Sequence, residues 1–311
     1  MTEPAAFRCV VIGLGVQGEK RRRVAGKDCI GTVDPVNDRA DWRDVGQIPA
    51  DAYDAALVCT PDVVKPDLLR HLLRLGKHVL VEKPLVGDHP DALTELAAEA
   101  SRRNLTLYTA YNHRFEPHFV RMKALLDGGG LGRIYRCRMS YGNGTARDVR
   151  NSAWRDKDPG VLADLGSHLL DTVLFWFGDQ CGPFRVVTAR RYENNAFDHV
   201  VIASDGVPGI ELEMSLLSWR NDFTCDIVGE AGSAHIRSLC KWGPSSFIHR
   251  ERVLPSGRPD EESTVLVRSD PTWEAEYGHF RRLCRTGGSN TDNDIWIATR
   301  LSALVREALT Q

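Results

Sequence analysis

The chain has 311 residues, 42% hydrophobic and 26% charged, with a net charge of −2. That length carries about two domains with a sizeable core, and the composition is that of an ordinary globular protein. Near-neutral charge gives no global attraction to nucleic acid or an anionic membrane, and no apolar run is long enough for a bilayer span, so neither partner is expected.

Eight cysteines show neither a CxxC pair nor a regular spacing. They read as reduced thiols in a cytoplasmic protein, with no metal site expected. The opening Met-Thr-Glu-Pro-Ala-Ala-Phe-Arg lacks a signal-peptide layout.

Cys9 to Ile12 is a short apolar run, read as a buried parallel strand. It leads into Gly13-Leu14-Gly15-Val16-Gln17-Gly18, a complete G-x-G-x-x-G. Glycines permit the tight turn and let main-chain N–H groups approach a pyrophosphate at the next helix N-terminus. Alone, such a motif is weak. Here a strand precedes it and a helix-compatible stretch, Gln17 to Ala25, follows. The short distance to the next strand predicts a helix of about two turns. Within it, Lys20-Arg21-Arg22-Arg23 reads as a solvated face.

A second strand, Cys29 to Val33, ends in Asp34, 21 residues after Gly13. That is the place for an acid bonding the adenosine ribose hydroxyls. Such a carboxylate repels a 2′-phosphate and favours NAD over NADP, while Arg39 keeps NADP open. A turn-forming Asp-Pro would explain Asp34 but not the spacing.

The alternation continues. Ala55 to Cys59 reads as a strand ending in Thr60-Pro61, and Asp62 to Leu75 as a helix with Asp62 as N-cap and Pro66 in its first turn. His78 to Val81 is the next strand, followed by Glu82-Lys83-Pro84, a helix from Asp88 to Arg103 and a strand from Leu105 to Thr109. Strands alternating with helices predict a parallel sheet covered on both faces. Ligands bind at the carboxyl edge of such a sheet, so Lys83 is placed to contact a cofactor or a reacting oxygen. Taken in isolation, it reads more simply as the surface lysine of an ordinary strand-to-helix turn.

After Asp127-Gly128-Gly129-Gly130-Leu131-Gly132 the pattern changes to strands: Ile134 to Tyr141, Val186 to Tyr192, Asp198 to Ser204, Gly209 to Ser218, Phe223 to Val228, Ala234 to Arg237, Ser246 to Leu254 and Ser263 to Arg268. These predict a large, mostly antiparallel sheet that needs one face covered. The other face, if apolar, predicts a homodimer or homotetramer. Residues 142–159, rich in Gly, Asn and Asp, read as a loop in which the Trp154 indole can stack on a ligand ring and the Arg155 guanidinium can bind hydroxyls or an acid. Packing of a loop Trp is the plain alternative.

Between these strands, Gly160 to Asp171 opens an apolar run that continues to Phe177. As a helix it puts Asp164, His168 and Asp171 on one face. A carboxylate beside an imidazole on a rigid element suits a general base and its orienting partner. A core histidine satisfied by a neighbouring Asp gives the same pattern, and the stretch alone leaves both open.

Several motifs together resemble the Gfo/Idh/MocA oxidoreductase family. They are the glycine motif, Thr60-Pro61, Gly76-Lys77-His78-Val79-Leu80-Val81-Glu82-Lys83-Pro84, Tyr111-Asn112-His113-Arg114-Phe115-Glu116-Pro117 and Asp164-x-Gly166-x-His168-x-x-Asp171. Trp273-Glu274-x-Glu276-x-x-x-Phe280 and a helix from Asp294 to Leu309 match its closing elements more loosely, so the likeness spans nearly the whole chain.

The resemblance implies an α/β Rossmann domain over 1–113. An α+β domain with a large, mostly antiparallel open sheet follows over 114–311, for substrate binding and oligomerisation, its last helix docking back. It implies catalysis by Lys83, Asp164 and His168. Cofactor contacts fall on Gly13, Gly15, Val16, Gln17, Gly18, Asp34, Thr60, Pro61, Glu82, Lys83 and Asn112. Substrate contacts fall on Lys83, Arg114, Trp154, Arg155, Asp164 and His168. It also implies a cis bond before Pro84. One departure stands out: the family commonly has a His where this chain has Lys65, which adds a cation near the cofactor.

The implied reaction is hydride transfer between nicotinamide and a secondary alcohol or ketone of a sugar, amino sugar or cyclitol. Two other classes stay open, a redox-neutral NAD-dependent glycoside-processing enzyme and a non-enzymatic cofactor sensor.

Overall fold

The computed structural model describes residues 7–87, 89, 91–152, 155–157, 159–179 and 181–311. They form two compact units, Met1–Asn112 with Trp273–Ile295, and His113–Thr272 with Trp296–Gln311. Residues 273–295 thus belong to the first unit, while Trp296–Gln311, which holds most of the last helix, belongs to the second.

In the first unit the order is β1 (Cys9–Ile12), α1 (Val16–Ala25), β2 (Cys29–Val33), β3 (Ala55–Val58), α2 (Lys65–Arg74), β4 (His78–Glu82), α3 (Ala92–Arg102) and β5 (Leu107–Ala110). The strands form one parallel sheet in the order β2-β1-β3-β4-β5. Every residue of β1, β3 and β5 is buried, as expected where both faces of a parallel sheet are covered. Helix α7 (Thr272–Thr286) adds Tyr277 and Phe280 to the core formed by Cys9, Val11, Leu57, Leu80 and Tyr108. Strand order reverses between β1 and β3, so the carboxyl ends of β1, β3 and β4 deliver Gly13, Thr60 and Lys83 to the edge where such folds bind ligands.

Three local readings change. Helix α1 has ten residues, nearly three turns. Within its basic run, Arg22 and Arg23 are exposed, but Arg21 is buried. Helix α2 starts at Lys65 after a single 3-10 turn at Asp62–Val64, and Asp62 pairs with the Lys65 ammonium instead of capping the helix. The expected start of α3 at Asp88 lies outside the described residues.

In the second unit, α4 (Pro117–Asp127) precedes β6 (Ile134–Gly142), α5 (Ala146–Arg150) and α6 (Val161–Phe177). Then come β7 (Arg185–Arg190), β8 (His199–Ser204), β9 (Gly209–Ser215), β10 (Asp222–Gly229), β11 (Gly232–Arg237), β12 (Ser245–Glu251) and β13 (Glu261–Leu266). The eight strands order as β13-β12-β11-β10-β6-β9-β8-β7, antiparallel except for β6 with β9. Burial alternates along β8, β9 and β10, the signature of a sheet with one covered face. Helix α6 packs against β9. Gly166 makes the close approach possible, since a Cβ there would stand 2.9 Å from the Met214 sulfur.

The opposite face of the sheet is charged in part. It carries Arg138 paired with Glu211, Asp226 with Arg237 and His235, and Arg250 with Glu261. Part of the expected loop over 142–159 is the short helix α5. Helix α8 (Thr291–Ala308) closes the chain, contributing residues through Ile295 to the first unit and Trp296 onward to the second. All eight cysteines are free. Among the described residues no helix is long and apolar enough to cross a membrane, and no cluster suited to a metal is found.

Candidate active site

The glycine loop is shaped by what a side chain would hit. A Cβ on Gly18 would lie 1.8 Å from the Gly13 carbonyl oxygen, and one on Gly13, at φ +91°, would lie 2.7 Å from that of Cys59. Gly15 faces open space, with nothing within 4 Å of its Cβ position. It is the N-cap of α1 and supplies no capping side chain, and Val16 and Gln17 are exposed. The first N–H groups of α1 therefore stand at an open helix N-terminus, a fit for the pyrophosphate of a dinucleotide.

Asp34 is bound into this loop. Its Oδ2 accepts the Leu14 N–H at 2.7 Å, and its Oδ1 accepts those of Val36 and Asn37 at 2.9 Å. Burial pushes the carboxyl up, but the amides of Asn37, Leu14 and Val36 outweigh it and hold Asp34 below the usual carboxylate value. Asn37 returns a bond from its side-chain amide to the Leu14 carbonyl at 2.8 Å. Nearby, Arg39 pairs with Glu19 at 2.8 Å and Arg43 with Asp38 at 2.7 Å. The Thr60 hydroxyl, beside Pro61 at the end of β3, is buried without a hydrogen-bond partner among the described residues.

Lys83 is half-buried, directly after β4, and its bond to Pro84 is cis. Glu82 before it accepts from Arg21 Nε at 2.6 Å, and Arg21 Nη2 reaches Glu276 at 2.7 Å. The Arg21 guanidinium also lies 4.2 Å from the Trp273 ring. Burial alone would lower the Arg21 pKa, but Glu82 and Glu276 outweigh it and raise it. Glu82, expected as a cofactor contact, is thus tied to α1 and α7. Lys65 holds the main chain of the same turn, its side-chain ammonium donating to the carbonyls of Glu82 and Pro84.

In the second unit, Gly160 at φ +56° lets the chain enter α6, whose first amide, on Val161, donates to Phe197 O at 2.8 Å. His168 is 7% exposed. His113 stacks on it, ring centroids 4.1 Å apart and planes 19° apart, and Tyr141 meets it edge-on at 6.0 Å. Asp164, one turn before His168, keeps 41% of its side chain exposed, with Arg155 Nη2 at 3.7 Å. Burial, then the Asp164 charge, pushes the Tyr141 phenol up, so it stays protonated.

Asp171 has a different job. It is fully buried and takes both Nε and Nη2 of Arg114, the latter at 2.7 Å. Burial raises its pKa against the opposing pull of Arg114. Arg114, expected as a substrate contact, ties α6 to its own segment through this pair. Asn112 is buried at the end of the first unit's opening segment. Trp154 lies outside the described residues.

The segment before β8 is fastened by its main chain. The buried Asp198 carboxylate accepts N–H groups from Tyr192, Glu193 and Asn194, and Asp156 accepts those of Asn195 and Ala196. Sequence reasoning missed His113 and Tyr141 as neighbours of His168. The Tyr111–Pro117 motif contained His113, but nothing local pairs it with a residue on α6.

Residues 32–111 match the profile of the oxidoreductase family with an NAD-binding Rossmann fold, and residues 119–235 match the GFO/IDH/MocA C-terminal domain. The chain belongs to the Gfo/Idh/MocA oxidoreductase family. As a member it is an NAD-binding oxidoreductase with a Rossmann domain.

It is 24% identical to inositol 2-dehydrogenase 3 of Saccharopolyspora erythraea over 270 residues, covering 79% of this chain and 78% of the relative. It is 29% identical over 157 residues to the scyllo-inositol 2-dehydrogenase (NADP+) of Bacillus subtilis, covering 50% of this chain and 43% of that one. Levoglucosan dehydrogenase in complex with NADH shares the Gfo/Idh/MocA fold, at TM-score 0.83, 16% identity and coverage of 98% and 97% of the two chains.

Proposed function

We propose that this family member is an NAD-dependent dehydrogenase acting on a secondary alcohol of a sugar, amino sugar or cyclitol. The observation that carries the reading is the placement of Asp164 and His168 one turn apart on α6, in a chain whose glycine loop ends at an uncapped helix N-terminus. Residues 13–18 would hold the pyrophosphate through the first amides of α1, and Asp34 the adenosine ribose. Bound nicotinamide would supply the hydride acceptor.

The protein's own residues handle the proton. His168 takes the substrate hydroxyl proton onto a ring nitrogen as general base. Asp164 orients the imidazole and stabilises its charged form. Lys83 stabilises the developing alkoxide by charge and hydrogen bonding. In the reverse direction the same groups return the proton to a ketone.

NAD is favoured over NADP for two reasons. The Asp34 carboxyl is held ionised, and the nearby Arg39 is engaged by Glu19, so a 2′-phosphate would meet a negative charge without a ready guanidinium. The inositol dehydrogenases among the relatives support a cyclitol within the substrate class.

The test is a panel assay. Purified protein is offered NAD or NADP with inositols, aldoses, amino sugars, aminocyclitols and nucleotide sugars, and NADH absorbance is followed. Turnover of one group with NAD is the expected result. No turnover across the panel, with NAD binding shown by calorimetry, would overturn the reading.

A further inference from the structure

Lys65 opens α2 and is 1% exposed. Lysine is among the residues least often buried, so its surroundings must satisfy the charge. An ammonium carries three hydrogens. Three acceptors surround Nζ: Glu82 O at 2.6 Å, Pro84 O at 2.9 Å and Asp62 Oδ1 at 2.6 Å. Donors and acceptors match in number, so no N–H of Lys65 is left over for a cofactor phosphate.

The identity of the two carbonyls matters. One belongs to the residue before Lys83 and the other to the residue after it. Two carbonyl oxygens aimed at one point repel each other unless a cation sits between them. The Asp62 carboxylate, itself half-exposed, balances that cation from the solvent side. The Glu82 side chain is fixed separately by Arg21. The turn that presents Lys83 is therefore held at its main chain by one buried charge.

We propose that Lys65 is the positioning residue for Lys83, its ammonium clamping the peptide carbonyls on either side and so setting where the Lys83 side chain starts. The catalytic part of this proposal rests on the role given to Lys83 above; the clamp itself does not.

The experiment compares wild type, Lys65→Met, Lys65→Arg and Lys83→Met. Amide hydrogen exchange on the protein without cofactor is the first readout. In Lys65→Met the amides at 81 and 82, which end the ladder of β4 next to the clamped turn, should exchange about 10-fold faster or more, while those of β1 and β3 keep their protection. Lys65→Arg, which retains a cation and several donors, should recover most of the protection.

NAD affinity by calorimetry should stay within about threefold of wild type in Lys65→Met, while kcat falls about 10- to 100-fold with KM little changed. Lys65→Arg should return part of kcat, and Lys83→Met should lose kcat without loosening the turn.

Unchanged exchange at 81 and 82 would overturn the clamp, as would equal loosening of β1 and β3. A kcat loss matched by an equal loss of NAD affinity would make Lys65 a cofactor residue and overturn the positioning role. The exchange readout uses neither cofactor nor substrate, so it stands or falls independently of the dehydrogenase reading. Should Lys65→Met fail to fold, Lys65→Gln, with two donors and no charge, carries the same comparison.

Discussion

The two units of this protein offer their functional groups in opposite ways. The first uses main-chain amides at the start of α1, shaped by glycines within one strand–turn–helix. The second uses side chains on α6 whose neighbours arrive from distant segments; Arg114 and Asp171 are 57 residues apart in sequence. A surface made of amides is broken by adding a Cβ and tolerates most other changes. A surface made of side chains is broken by deleting one partner and leaving the other buried.

The largest expected effect tests the side-chain region. His168→Ala should cut kcat by about 10²–10⁴ and leave NAD affinity near wild type, read by steady-state kinetics and calorimetry. Unchanged turnover would remove His168 from the mechanism. Next is Arg114→Met, which strands a fully buried carboxylate and should cost about 3 kcal/mol in urea unfolding. Because burial already raises the Asp171 pKa, the deficit should shrink as pH falls and the stranded carboxylate is neutralised.

Two glycine variants then sharpen the contrast in the amide region. Gly18→Ala must displace the Gly13 carbonyl and should destabilise the protein even without cofactor, by about 2 kcal/mol. Gly15→Ala meets nothing, so its thermal midpoint should match wild type while NAD affinity drops, by roughly 10-fold. Equal thermal losses in the two would erase the distinction drawn between them.

The smallest effect is a pH dependence. Burial lowers the pKa of both His78 and His118 from 6.5. His78 Nδ1 accepts the Thr106 N–H at 3.0 Å, a bond that protonation of that nitrogen removes. On acidification the unfolded chain takes up these protons first. The stability they contribute is present above 6.5 and lost as pH falls below it, at no more than about 1.4 kcal/mol per pH unit for each histidine. Thermal melts from neutral to mildly acidic pH check this; a rising midpoint would contradict it.

The same contrast explains what the sequence made legible. Glycine spacing, apolar strands and the acid after β2 are local, so the Rossmann order of β1, α1 and β2 could be read directly, as could the helix carrying Asp164 and His168. What escaped depends on packing between segments. Arg21 sat in a basic run that looked solvated, and only Glu82, Glu276 and Trp273 show why it is buried. Lys65 looked like an added cation near the cofactor, whereas its hydrogens are directed to two carbonyls and the Asp62 carboxylate. The face of the large sheet opposite α6 had no readable code for its ion pairs, because cross-strand partners follow from register.

The segment from Tyr192 to Ala196 has a consequence for redesign. Its shape is dictated by two carboxylates, Asp156 and Asp198, that grip main-chain amides. Such a grip is blind to side-chain identity. The exposed Tyr192 and Glu193 can therefore be randomised in a library with both aspartates retained, giving a set of variants that differ in chemistry on an unchanged scaffold.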